Sequence, residues 1–159
     1  MIAVGESVRL RRFDPDEAGQ DLLGALLTWY RDRDTVRMVD GPNADRYDAD
    51  RLLRMFRHLR DTGELFLIEE LTPTGWTPIG DVTLQPSGIP ILLCPPARGR
   101  GIGRNVLRTL ITYAREAGRT EILVNEVYGY NDAARRLFTS AGFVPIGETE
   151  LGHRYRLDL

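Results

Sequence analysis

The chain has 159 residues, with 23 acidic and 21 basic side chains and a formal net charge of -2; every basic side chain is an arginine, and lysine is absent. A length near 150 suits one domain and lets folding bury about two-thirds of the unfolded surface, and the lone cysteine, Cys94, excludes an internal disulfide. No apolar run approaches the ~18 residues that span a bilayer, and the acidic balance argues against duplex nucleic acid, which favours a broad basic footprint. One soluble, cytoplasmic domain over residues 1–159, with neither membrane nor nucleic acid as partner, is the expectation.

Residues 7–12, SVRLRR, alternate apolar and charged positions and predict a first strand. From Asp14 to Asp34 the positions Ala18, Leu22, Leu23, Leu26, Leu27 and Tyr30 form a helical stripe, with Asp14 as cap and Pro15 in the first turn. The stretch around Asp40-Gly41-Pro42-Asn43 reads as a turn or surface loop. A second helix begins near Asp48 or Asp50 and ends at Gly63. Residues 65–94 then read as a three-stranded antiparallel meander. Ile102, Val106, Leu107, Leu110, Ile111 and Ala114 mark the clearest helix in the chain, closed by Gly118. A strand over 120–127, a short helix over 131–142 and two final strands complete an order close to βααβββαβαββ. That is one α+β domain with a mixed central sheet flanked by helices.

Charge singles out one segment. Between Arg98 and Arg119 six arginines face one acid, Glu116, and the tightest glycine cluster lies there, in LLCPPARGRGIGRNVL. A glycine-rich turn that opens directly into a helix brings backbone amides close to a ligand at the end where they lack partners, a cradle suited to phosphate. The lysine and hydroxyl residue of a Walker loop are missing, and the glycine pattern is not that of a dinucleotide fold. A bare strand-to-helix connection would need no ligand at all.

The hexapeptide Arg98-Gly99-Arg100-Gly101-Ile102-Gly103, preceded by Leu93 and Pro95, resembles the acyl-CoA signature of the GNAT N-acetyltransferases. Downstream, Val127, Asn131, Ala134, Leu137, Gly142 and Phe143 match the family's second signature. The resemblance covers residues 79–143, and the N-terminal part is more loosely similar to the ribosomal-protein N-acetyltransferase branch. It implies acetyl-CoA as co-substrate, its pyrophosphate held by backbone amides of Arg98, Gly99, Arg100, Gly101, Ile102, Gly103 and Arg104. It also implies a thioester held near Leu93 and Cys94 in an opening between IPILLC and TEILVNEV, with Asn131 contacting the cofactor side or fixing that opening. No metal is implied, the acceptor is an amine of a small molecule or a protein N-terminus, and a homodimer is compatible with the family.

Direct transfer needs a deprotonated amine and a proton for the departing thiolate. Many family members carry a tyrosine for the second task where this chain has Phe138, which leaves Tyr128, Tyr130, Cys94 or water. Alternation through Ile122, Val124 and Glu126 places Glu126 on an inward face and makes it the leading base, with Tyr128 as the leading acid and Glu64 and Asp81 as other carboxylates. A nucleophilic Cys94 lacks a partnering histidine. Trp29, Tyr30, Met38, Tyr47 and the acids Asp32, Asp34, Asp40, Asp45 and Asp48 would form an apolar, negative mouth for a cationic acceptor. The alternative is a GNAT-like acyl-CoA-binding or regulatory module that has lost turnover.

Overall fold

Leu65, Phe66, Leu67 and Ile68 are four consecutive apolar residues, each at most 2% exposed, and a strand buried on both faces must be covered on both. A computed structural model describing residues 1–159 shows how. Strand β3, Glu64–Thr72, lies in a five-stranded antiparallel sheet with β1 (Ile2–Ala3), β2 (Val8–Arg12), β4 (Gly75–Leu84) and β5 (Ile91–Leu93), in the order β1-β2-β3-β4-β5. Leu65 and Leu67 join a cluster with Leu26, Tyr30, Leu52 and Phe56, drawn from helices α1 (Gln20–Tyr30) and α3 (Ala49–Thr62). Phe66 and Ile68 join the larger cluster with Val106 and Leu110 of α4 (Ile102–Glu116) and Phe138 of α5 (Asp132–Ser140).

A second antiparallel sheet has the order β6-β8-β7, built from β6 (Glu121–Tyr128), β7 (Val144–Glu148) and β8 (Gly152–Asp158). The expected mixed sheet therefore takes the form of two antiparallel sheets that share no ladder where β5 and β6 face each other. No helix is long and apolar enough to cross a membrane.

Three expectations change. The first helix starts at Gln20 behind Gly19, not at Asp14; Asp14 and Asp16 form a turn bound by Arg57 and Arg60 of α3. An additional helix, α2 (Arg33–Asp40), runs up to the turn expected around Asp40–Asn43, because the Asp32 side chain accepts the Thr35 amide at 3.1 Å and caps a new first turn. A two-residue edge strand, β1, precedes the first expected strand. Asp32→Ala is expected to destabilise the protein by about 1 kcal/mol, lowering Tm by roughly 2–4 °C in a thermal melt; an unchanged Tm would remove the cap from the account of α2.

Candidate functional site

Strand β5 is three residues long because Pro95 and Pro96, which lack amide hydrogens, follow it and form a single 3-10 turn. Its last ladder bond runs from the Cys94 amide to the Ile79 carbonyl, 2.8 Å. Antiparallel bonding alternates, so the amides of Ile91 and Leu93 point away from β4, toward β6. The Cys94 amide is thereby already engaged with β4. Of the two positions expected to hold a thioester, only Leu93 presents its N–H to the opening, while Cys94 keeps a half-buried free thiol against the core.

Strand β6 does not close against β5. Its register with β8 shifts between Val124 and Val127, a bulge that bends the strand, and the Asn125 amide bonds the Ser87 carbonyl at 3.1 Å, before β5 begins. The splay opens into a cavity of about 500 Å³ reaching from Asp81 and Leu92 past Val127 and Tyr128 to Asn131 and Phe138. The bulge also overturns the inward placement of Glu126. Val124 and Val127 are buried, and Glu126 between them is exposed at the cavity rim.

At the open end of the splay the chain turns from β5 into α4. Gly99 and Gly101 hold φ values of +73° and +80°, left-handed conformations that other residues adopt at a cost. The first backbone bond of the helix is from the Asn105 amide to the Gly101 carbonyl, 3.2 Å. Gly99, Arg100, Gly101, Ile102, Gly103 and Arg104 thus have amides with no acceptor in the chain, grouped at the positive end of a 15-residue helix. An alanine Cβ at Gly103 would stand 3.7 Å from Leu93 Cδ1, ordinary contact.

Arg98 does not belong with these donors. Its amide bonds the Pro95 carbonyl at 3.2 Å, and its guanidinium donates to the Leu93 carbonyl at 2.9 Å and to Thr35 Oγ1 at 3.0 Å. It braces the end of β5 against α2. Arg100 pairs with Glu70, whose hydrogen bond raises the guanidinium pKa, so its side chain is anchored and its amide is what it offers. Asn131 caps α5, accepting the Ala134 amide at 3.1 Å, and reaches the Met38 carbonyl of α2. It thereby links the start of α5 to α2 across the cavity.

The polar groups of the cavity divide by depth. Tyr128 stacks on Tyr130 with rings 5.4 Å apart and 5° from parallel, and Tyr130 donates to the Arg37 carbonyl at 2.6 Å. Burial, then the Glu126 charge, raises the Tyr128 pKa and keeps its hydroxyl protonated. At the floor Asp81, 2% exposed, accepts the Tyr30 hydroxyl at 2.8 Å. Desolvation pushes the Asp81 carboxyl up to about 7 against the opposing pull of that bond. At the rim, Asp40 accepts the Tyr47 hydroxyl and pairs with Arg51.

Other sequence candidates are used elsewhere. Glu64 is taken by Arg12 and Tyr113. Asp32 and Asp48 cap helices, Asp34 and Asp45 line a separate surface depression, and Trp29 packs against the α1/α3 core. Of the expected acceptor mouth, Tyr30, Met38 and Asp40 reach the cavity. The signal for Asp81 was the one charged letter in the strand IGDVTL.

Comparison with known proteins agrees with this geometry. Residues 7–144 match the family model described as acetyltransferase (GNAT) domain. Among curated proteins, none matches the sequence. Similar solved structures include a domain from Methanocaldococcus jannaschii DSM 2661, with TM-score 0.80 and 16% identity over 97% of this chain and 100% of that one. Spermidine N-acetyltransferase from Vibrio cholerae, in complex with CoA and spermine, gives TM-score 0.74 and 19% identity over 96% and 95%. The Salmonella typhimurium acetyltransferase that modifies the N-terminal serine of ribosomal protein L7/L12 gives 0.73 and 16% over 99% and 98%. At such identities these likenesses speak for the fold, and the family match spans most of the sequence. With two sheets splayed over a glycine-rich helix start, the chain belongs to the GNAT acetyltransferase family.

Proposed function

We propose that the protein transfers the acetyl group of acetyl-CoA to a primary amine by direct attack. The observation that carries this is the run of acceptor-less amides from Gly99 to Arg104 at the open end of a splay whose cavity is apolar-walled and acidic at its floor. Those amides suit a pyrophosphate, with Arg104 adding charge. The Leu93 amide, aimed into the splay, suits a carbonyl oxygen that gains charge on attack. Acetyl-CoA supplies the activated acyl group; the chain supplies alignment, the oxyanion donor and the proton relays.

Tyr128 is the proton donor to the departing thiolate, because its hydroxyl is held protonated and borders the cavity. Glu126, exposed at the rim, draws in a cationic acceptor. Acidic groups outnumber the one imidazole, His58, around the cavity, which favours an ammonium over an anionic acceptor. The named substrates of the Vibrio and Salmonella proteins, spermidine and an N-terminal serine, are both amines, and a small polyamine or a protein N-terminus is the acceptor class proposed.

Thiol release from acetyl-CoA with a panel of amines tests the assignment. Acceptor-stimulated release is expected, with Tyr128→Phe lowering kcat about 100-fold and Glu126→Gln raising KM for a cationic acceptor. A rate indifferent to both substitutions would remove these two roles. Phe138, 4% exposed and packed edge-on against Phe143, favours a second reading, a binding module without turnover. Saturable CoA binding with no amine-stimulated release would select it, and displacement of CoA by ATP would point instead to a nucleotide site.

A further inference from the structure

The protein buries two carboxylates almost completely, and it treats them differently. Glu69, 4% exposed, is held by Arg9 Nε at 2.9 Å and Arg11 Nε at 3.1 Å, the arrangement expected of a buried structural charge. Asp81, 2% exposed, has no arginine beside it in a chain that contains 21. Its only side-chain partner is the Tyr30 hydroxyl, which donates to Oδ2. Oδ1 has no partner in the chain and is not among the sealed, unsatisfied atoms, and Asp81 lines the cavity. A carboxylate with one oxygen positioned by a tyrosine and the other turned to a ligand-sized space is built to exchange a proton.

Its position fits the reaction centre. Asp81 stands opposite Leu92 in the β4-β5 ladder, and adjacent strands lie about 4.8 Å apart. Asp81 therefore sits on the strand next to the one that carries the Leu93 amide. Cross-strand partners share a face: Leu92 and Tyr30 belong to the same cluster beneath α1 and α3, the side from which the cavity is reached past Met38 and Asp40.

We propose that Asp81 is the catalytic residue that takes the acceptor's proton and that Tyr30 is its positioning residue. This rests on the reading of the protein as an acetyl-CoA-dependent N-acetyltransferase and names the residue that makes the ammonium nucleophilic. The ammonium gives one proton to Asp81 Oδ1, and the electron pair of that N–H bond stays on nitrogen as its lone pair. The nitrogen then forms a bond to the acetyl carbon as the carbon–sulfur bond breaks. The sulfur takes the electron pair and a proton from Tyr128, the second nitrogen proton restores that hydroxyl, and Asp81 releases its own to water. One ammonium and one thioester give one amide, one thiol and one proton.

The groups facing Asp81 around the cavity are Tyr30 from α1, Asp40 from α2, His58 from α3, and Glu126 and Tyr128 from β6. Asp40 is occupied by Tyr47 and Arg51. Burial keeps the Asp81 carboxyl near 7, close to the working range of a base, and burial also holds Tyr30 protonated as a donor.

The test compares wild type, Asp81→Asn and Tyr30→Phe in CoA affinity, thermal stability and the pH dependence of kcat/KM with an amine that the wild type accepts. For Asp81→Asn we expect unchanged CoA affinity, a folded protein, a rate about 100-fold lower at pH 7 and loss of the acid limb near pH 7. For Tyr30→Phe the limb moves to higher pH, because the lost bond favoured the ionised carboxylate, and the rate recovers above it. An Asp81→Asn enzyme with wild-type rate and limb overturns the proposal, as does one that no longer binds CoA, since Asp81 would then be structural. A limb unmoved in Tyr30→Phe removes the positioning role. A wild type that binds CoA but acetylates no amine overturns the enzyme assignment itself, a result distinct from all of these.

Discussion

Replacing Gly101 by valine is expected to raise the Kd for CoA by at least ~100-fold while leaving the two cores intact. Gly101 caps α4 with φ +80° and ψ 4°, and for a branched L-residue that conformation costs about 1–2 kcal/mol. Open space surrounds the position, so the constraint is the backbone and not the neighbours. The valine relaxes by rotating the chain out of the left-handed region, which turns the amides of Gly101 and Ile102 away from their common focus. Charge-assisted hydrogen bonds contribute about 1.5–3 kcal/mol each, and losing two amounts to at least a hundredfold in affinity.

Gly103→Ala is the matched control. Its backbone is ordinary and its Cβ meets only side-chain atoms at 3.7 Å or beyond, so affinity within about threefold of wild type is expected. Calorimetric titration with CoA checks both. Equal affinities for wild type and Gly101→Val would show that the phosphates bind elsewhere.

The contrast between these glycines explains what was readable from residues alone. A positive φ leaves a compositional trace, because glycine supplies it most readily; the loop at Gly99 and Gly101 was visible for that reason, as was α4 with its apolar stripe. Helix α2 left little trace: its only fully buried apolar residue is Val36, and its start depends on one local contact from Asp32 to Thr35. The exposure of Glu126 leaves no trace in the residues for a different reason. Period-two alternation carries Glu126 inward only if β6 is regular, and the bulge before Val127 breaks the period where the site begins. Bulges are set by pairing with a distant strand, here β8, and not by the residues that bulge. Asp81 shows the same limit: the one acid in its strand is visible, but its lack of an arginine partner is a tertiary fact.

The stability of the protein should fall as pH rises toward neutrality, and Asp81→Asn should abolish that fall. The folded carboxyl lies at about 7, against an ordinary value of 3.8, chiefly through desolvation. Between those values the folded chain holds a proton that the unfolded chain releases. The stabilisation from the neutral form is complete below about pH 4 and lost as pH rises through 7, at up to about 1.4 kcal/mol per unit and ~4 kcal/mol in all. An asparagine keeps an oxygen for the Tyr30 hydroxyl and carries no charge at any pH. Denaturant melts of the two proteins should nearly coincide at about pH 3, differ by roughly 1.5 kcal/mol at pH 5 and separate by ~4 kcal/mol at pH 8.5, with the substituted protein the more stable. Other groups titrate in both proteins, so the difference between the curves isolates Asp81; parallel curves would mean that the carboxylate is solvated and its burial inconsequential. A substitution that stabilises the fold at neutral pH and slows the reaction would separate the two demands on this position. The core would be better served by a neutral group, whereas proton transfer near pH 7 requires one whose ionised form is held at a cost to the fold.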